Sequence, residues 1–361
     1  IFDLRRLALS FDLAVRPVLE EAAQLEEDDI DRSVRATAAG YVGELRRLVD
    51  GEAPIEVHED EAFGIVIANV FKRAQKDGPS SELLDESSWV TDDDGDGSFE
   101  RAFCECDVDP PTGGYLTYRL VPVSDPVERE MVLAVIDQWA QTSPAAAGLD
   151  RSKVKDMARR YGKGVSSYPV LRYHVMMEGR FKSPDDDWVL DVKEARDALR
   201  LPHLHDVIAP DGFQSNGERI VHLQRTLQGH PEMDKYLGWA DLAPISFRVQ
   251  ELTKWQKSVG VDRIRKAARD GFRTGDDLER FASIVGAMLA RAHAGAQSVN
   301  GAPALQQLSS GLAGRETELI EELSAFVSAY APIVHQDHAR LVALLDRYGS
   351  TLGASAPLDS P

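Results

Sequence analysis

Two short stretches carry the residue types that phosphate chemistry needs. Gly162-Lys163-Gly164-Val165-Ser166-Ser167 stands just before Tyr168 to Glu178, a run rich in β-branched, aromatic and large apolar residues. Glycines let a backbone approach an anion closely, and the N–H groups of such a turn can cradle one. Any Gly-rich turn before a strand shares this pattern, so the segment alone is weak. It leads into a strand and does not link a strand to a helix, which argues against a dinucleotide site of the βαβ type. Further on, Trp188 to Ala195 alternates, with Trp188, Leu190 and Val192 on one face and Val189, Asp191 and Lys193 on the other. Lys193 then has two readings: a charge on a solvated outer face, or a lysine turned into a cleft to neutralise phosphate.

Other constellations weigh less. Asp92, Asp94, Asp96 and Gly97 open like a calcium loop, but the twelfth position is Phe103 and not a bidentate glutamate, so a solvated acidic loop is the reading. Cys104 and Cys106, the only cysteines, would share one strand face; a tetrahedral metal site lacks two soft ligands, which leaves buried apolar packing. The pairs His203 with His205 and His335 with His338 lack the nearby glutamate base of a zinc-peptidase helix. His293, among small residues of a helix, reads as a buried hydrogen-bonding histidine. There is no Gly-x-Ser-x-Gly elbow to anchor a hydrolase triad, and no metal site is predicted.

The elements that must position these residues form a simple progression. Periodicity predicts helices from Asp3, the expected N-cap, to about Glu27, divided at Pro17, then over Asp29 to Asp50 and Glu59 to Gln75. Residues Gly78 to Gly97 read as loop and Phe99 to Val123 as short extended segments. A helix follows from Pro126 to about Gln141, with Val127, Met131, Val135 and Ile136 inward. Tyr168 to Glu178 and Trp188 to Ala195 form a hairpin; Asn216 to Gln228 is a helix with Ile220, Leu223 and Leu227 on one side; Ile245 to Leu252 is a strand. Helices return over Leu278 to Ala294, Glu316 to Ala329 and His335 to Tyr348. The class is α+β. The expected divisions are a helical part at 1–77, an extended insertion and helix at 78–150, a β-rich part at 151–260 and a second helical part at 261–361.

Composition narrows the partners. The 361 residues carry 41 Lys and Arg against 60 Asp and Glu, a net charge of −19 that repels polyanions, so no nucleic-acid partner is expected without a local basic patch. No apolar run approaches the ~20 residues that span a bilayer, so no membrane partner is expected. With no secretory signal and no cysteine framework, the expectation is a cytoplasmic protein. The chain opens at Ile1, close to a helix start and without Met, which reads as the middle of a longer polypeptide.

Several stretches together resemble one family. They are Asp3-Leu4-Arg5-Arg6-Leu7-Ala8, Val192 to Arg196, Gly217 to Arg225, Leu237-Gly238-Trp239, Leu289 to Ala294, and Ala329-Tyr330-Ala331 with Asp337-His338. In this order they resemble the bacterial domain-of-unknown-function family 2252, from residue 3 to about 345 and most strongly after 157. That family in turn looks like aminoglycoside-phosphotransferase and protein kinases with a circularly permuted chain. The resemblance implies a two-lobed kinase-like fold, with a small antiparallel sheet lobe and a larger helical lobe. It implies ATP and Mg²⁺ as cofactors and an unknown small-molecule or protein acceptor.

Carried over residue by residue, Gly162 and Gly164, with Ser166, would cover the phosphates, and Lys193 would contact them. Gln224, or less readily Glu218 or His222, would steady that lysine; Gln250 and Glu251, leading to Leu252, would flank a purine; Asp3 would brace a catalytic loop. The chain departs from the family at Ser167, where a third glycine is usual, at Gln250-Glu251-Leu252, where Arg-Gln-Leu is usual, and at His222, which replaces a glutamate. The family's Gly-Asp-x-His-x-x-Asn and Asp-Phe-Asp segments are not among these residues and are expected upstream of Ile1. The leading expectation is a nucleotide-binding phosphotransferase; the alternative is a non-catalytic binding or scaffold module.

Overall fold

A computed structural model describes residues 1–59, 63–77, 87–91, 99–104, 106–108, 118–161, 170–181, 183–197, 212–253, 255, 257–296 and 303–348. The chain divides into two compact units. One comprises residues 1–76, 226–229 and 257–343; the other comprises 77–225, 230–256 and 344–361.

The first unit is helical. Its elements are α1 (Phe2–Val15), α2 (Glu27–Val49), α3 (Gly64–Asp77), α6 (Val261–Asp270), α7 (Gly275–Ala294), α8 (Ala304–Leu312) and most of α9 (Glu316–Tyr348). Pro17 ends α1 in a 3₁₀ segment, Arg16–Glu21, because proline cannot supply the N–H of a continuing helix. A reciprocal cap between Glu26 and Asp29 starts α2, and Arg46 and Arg47 occupy its last turn beside the negative end of the helix dipole. The tightest packing joins α2 to α7. A Cβ on Gly40 would lie 2.0 Å from the Ser283 carbonyl oxygen, and one on Gly286 would lie 2.1 Å from the Thr37 carbonyl oxygen. Only glycine permits these approaches. α1 also packs against α7, where Phe11 and Phe281 meet edge to face at 5.8 Å.

The second unit is built on a seven-stranded antiparallel sheet, in the order β3-β4-β5-β6-β7-β9-β8. The strands are β3 (Cys106–Val108), β4 (Tyr118–Pro122), β5 (Val154–Tyr161), β6 (Arg172–Met177), β7 (Trp188–Ala195), β8 (Gly238–Leu242) and β9 (Ile245–Leu252). A separate hairpin pairs β1 (Ser87–Thr91) with β2 (Phe99–Phe103). Helix α4 (Pro126–Thr142) closes one sheet face, setting Val132, Val135, Ile136 and Trp139 on Val175, Leu190, Val192, Phe247 and Val249. Trp139 is fully buried and donates its indole N–H to the Tyr236 carbonyl at 2.8 Å. Helix α5 (Asn216–Leu227) starts against β9. The Gly217 N–H donates to Ser246 Oγ at 2.6 Å, and a Cβ there would lie 2.8 Å from the Phe247 carbonyl oxygen.

The architecture is α+β, as expected. Several details differ from the sequence reading. The N-cap of α1 is Ile1, with Asp3 inside the first turn. Val127 is 78% exposed, because it sits at the start of α4 beyond the sheet. On α5 the buried residues are Gly217 and Val221, while Leu223 and Leu227 are exposed, so the buried face is turned about a quarter-turn from the one predicted. Residues 87–91, read as loop, form β1. The two last helices are one, α9, which runs through Pro332. Cys104 is half-buried and disulfide-bonded and is not a packed free thiol. Among the described residues, no helix is long and apolar enough to cross a membrane.

Candidate functional site

Antiparallel register stacks three rows of residues on the sheet face away from α4. Met176 pairs with Val189 and Val189 with Leu252; His174 pairs with Asp191 and Asp191 with Gln250; Arg172 pairs with Lys193 and Lys193 with Arg248. Directly opposed residues in adjacent strands share a face, so each row crosses β6, β7 and β9 as one line. The first row is apolar, the second is centred on a carboxylate, and the third is wholly cationic.

The apolar row is covered by the protein itself. Phe103 of β2 packs with Leu120, Ala158, Met176 and Val189, all buried, with Leu252 at the margin. The Phe103 N–H is anchored on Asp156 Oδ2 at 2.8 Å, and burial pushes the Asp156 carboxyl above its ordinary range.

Asp191 organises the rest. It is completely buried and accepts hydrogen bonds from Arg172 Nε at 2.5 Å, Arg172 NH2 at 2.8 Å and Arg248 NH2 at 3.1 Å; His174 Nε2 lies 3.8 Å away. Burial pushes its carboxyl up, but Arg172, His174 and Arg248 outweigh burial and hold it below the usual range. Lys193 is half-buried in the next row. Burial, then the adjacent Arg172 and Arg248, press its ammonium below the ordinary lysine value, with Asp191 opposing them. Three cationic side chains thus stand together at this end of the face, beside one buried carboxylate. A group carrying negative charge would relieve both the desolvation and the repulsion there.

Gln224 of α5 donates to Asp234 Oδ2 at 3.0 Å and reaches Gln250 Oε1 at 3.4 Å, so helix, sheet and the turn before β8 meet beside the Asp191 row. Glu251 alternates onto the opposite face, across from Leu190. Burial pushes its carboxyl up, with Lys235 opposing. It lines a cavity of about 420 Å³ with Lys235, Leu252 and the stacked pair Trp188 and Tyr236, whose rings lie 4.4 Å apart.

Gln224 thus meets Gln250, which stands one row from Lys193 on β7 and β9, with Glu251 on the other side of the same strand. Gly162, Gly164 and Ser166 lie outside the described residues, as do the acidic positions Asp92, Asp94, Asp96 and Gly97 and the histidines His203 and His205. Asp3 belongs to the helical unit. Its carboxylate lies 3.5 Å from His293 Nε2, and His293 Nδ1 is 3.0 Å from the Tyr41 hydroxyl. Burial, helped by Asp3, pushes that phenol to about 12, while burial lowers the His293 imidazole. His293 is thus the half-buried hydrogen-bonding histidine that its helix suggested. His335 lies 3.7 Å from the buried Asp12.

Arg172, Arg248 and Tyr41 were missed by sequence reasoning. The one signal available was Asp191 itself, an acid inside Val189-Leu190-Asp191-Val192 whose neighbours all read as core.

These features define an α+β protein of two units, one helical and one carrying an antiparallel sheet with a charged face. Residues 1–344 match the model of the family described as "Uncharacterized protein conserved in bacteria (DUF2252)", and the chain belongs to that family. No curated protein and no solved structure matches it.

Proposed function

We propose that this chain is a kinase-like nucleotide-binding protein. The sheet unit takes ATP with its phosphates against Lys193, Arg172 and Arg248, and the whole protein passes a phosphoryl group to a small-molecule or protein acceptor. The observation that carries the reading is the cationic row: Arg172, Lys193 and Arg248 stand side by side across β6, β7 and β9 next to the buried Asp191, and burial together with the two arginines presses the Lys193 ammonium below its ordinary value. The order of elements supports it. The glycine-bearing segment 162–169 links β5 to β6, Lys193 lies on the next strand, and α5 follows with Gln224 reaching β9. Protein kinases place a Gly-rich loop over the phosphates, a lysine on the third strand and a steadying side chain on the following helix. A circularly permuted two-lobed arrangement belongs to the same proposal; the packing of α1 beside α7, which that permutation needs, agrees with it.

Magnesium is a different matter. Among the described residues no group of three or more His, Cys, Asp or Glu side chains is placed to hold a metal ion. Magnesium enters the proposal only as the nucleotide's own counter-ion.

One observation favours the scaffold reading: Phe103 fills the apolar end of the same face. Calorimetric titration with MgATP separates the two. Binding by the wild type and a tenfold or larger loss in Lys193→Ala are expected, since a charge-assisted contact is worth about 1.5–3 kcal/mol. Lys193→Arg also weakens binding, because a planar fork cannot replace a compact point charge. A wild type that binds no nucleotide, or a Lys193→Ala variant that binds equally well, overturns the nucleotide reading in favour of the scaffold.

A further inference from the structure

We propose a second ligand site, independent of the sheet: the groove between α3 and α6 binds a small organic phosphate with an apolar body. The groove encloses about 360 Å³, within the roughly 300–1,000 Å³ of small-molecule pockets. Its floor is apolar, made by Ile65, Val66, Val70, Val259 and Ala267. Its rim is basic: Lys72, Arg73 and Lys76 from α3 face Arg263 and Lys266 from α6, with Asp270 as the single lining carboxylate.

This charge pattern runs against the rest of the molecule. The chain has 60 acidic and 41 basic residues, and elsewhere in the helical unit many of its arginines are paired: Arg16 with Asp12, Arg32 with Asp29, Arg35 with Glu321, Arg47 with Glu44. Arg73 reaches the carbonyls of Asn69 and Ser258. Lys72, Lys76, Arg263 and Lys266 have no side-chain hydrogen bond and no ion pair among the described residues. Lys72 and Lys76 are one turn apart on the same helix face, where like charges repel. A chain so rich in acids could have neutralised these cations from its own supply. Four unneutralised cations around one concavity suit an anion from outside.

The chemistry of the lining selects among anions. Ammonium point charges with guanidinium forks suit phosphate oxygens. Inorganic phosphate would leave the floor wet, including Ile65, which is 41% exposed. A nucleic acid fits poorly: no aromatic side chain lines the groove to stack a base, and beyond the patch a net charge of −19 repels a long polyanion.

Octyl phosphate is the probe, titrated calorimetrically into the whole chain at low salt, with octyl glucoside, inorganic phosphate and a short oligothymidylate in parallel. Octyl phosphate binds, and both octyl glucoside and inorganic phosphate bind about tenfold or more weakly, since each lacks one half of the recognition. Lys72→Gln/Lys266→Gln weakens octyl phosphate by about tenfold or more, and Ile65→Ser weakens it without changing inorganic phosphate. All three positions are exposed and the melting temperature stays at the wild-type value, so a loss reports on the site and not on folding. Octyl phosphate that does not bind, octyl glucoside that binds as well, an unchanged double variant, or preferential binding of the oligothymidylate each overturns the proposal. MgATP binding at the sheet unit is measured separately, so the failure of either site leaves the other standing.

Discussion

The two faces of the central sheet are made from alternate residues of the same strands, yet they obey different rules. Under α4, Leu190 and Val192 join Trp139 and Phe247 in a closed apolar layer. One residue out of phase, Asp191 and Lys193 stand between Arg172 and Arg248. The first face is stabilised by area removed from water and needs no partner. The second buries a carboxylate that is favourable only while its arginines hold it, and beside it a lysine that its neighbours repel. The first serves stability, and the second holds electrostatic strain that a bound anion would discharge.

Four variants sharpen or break that contrast. Trp139→Ala on the closed face has the largest effect, a loss of about 4 kcal/mol in denaturant unfolding, from the cavity together with the lost indole bond to Tyr236. Asp191→Asn follows at about 3 kcal/mol, because it leaves the half-buried Arg172 and Arg248 without their buried counter-charge. Its pH signature differs from that of an apolar variant. The folded carboxyl lies below its ordinary 3.8, so its contribution is present above that pH and is lost as pH falls through the lower folded value. Acid titration of stability should therefore be flatter in Asp191→Asn than in wild type; an equal slope removes Asp191 from the centre of the network.

Lys193→Met has a smaller effect of opposite sign, a gain of less than about 1 kcal/mol at neutral pH, since the ammonium is half open to solvent and screened. The folded lysine titrates below its ordinary 10.5, so wild-type stability rises with pH through that window, and the variant lacks the rise. A clear loss of stability in Lys193→Met would show that attraction outweighs burial and repulsion at this position. Smallest of all is Glu251→Gln, within about 0.5 kcal/mol. Burial raises that carboxyl above its ordinary 4.5, so wild type loses a little stability as pH rises through the shifted value, and the amide does not.

Much of the frame was legible because one-dimensional patterns settle it. The alternation over Trp188 to Ala195 placed Leu190 and Val192 inward, and α1, α2 and α7 were readable from three- and four-residue spacing, although the N-cap of α1 is Ile1 and not Asp3. The cationic row was not legible. Arg172 and Arg248 become neighbours of Lys193 only through two strand registers, and register is set by packing and by loops whose geometry no local pattern encodes. The same limit hid Tyr41, which meets His293 across 252 positions of sequence. On α5 the error was of another kind. Leucines were assigned to the core, whereas Gly217 had to face β9 because no side chain fits there.

The crossing of α2 and α7 also bears on the order in which the protein is made. Gly286 rests on Thr37, and residues 77–225 and 230–256 of the sheet unit are inserted between the two helices in sequence. A growing chain emerges from its N-terminus, so α1 and α2 leave the ribosome long before their partner exists. The sheet, whose strands neighbour one another along the chain, can close in that interval; the helical unit cannot. Until α7 arrives, Phe11, Ile30 and Val34 have no complete core to enter. Within this stretch of chain the sheet unit is thus free to close before the helical unit, whose α1 and α2 wait for α7.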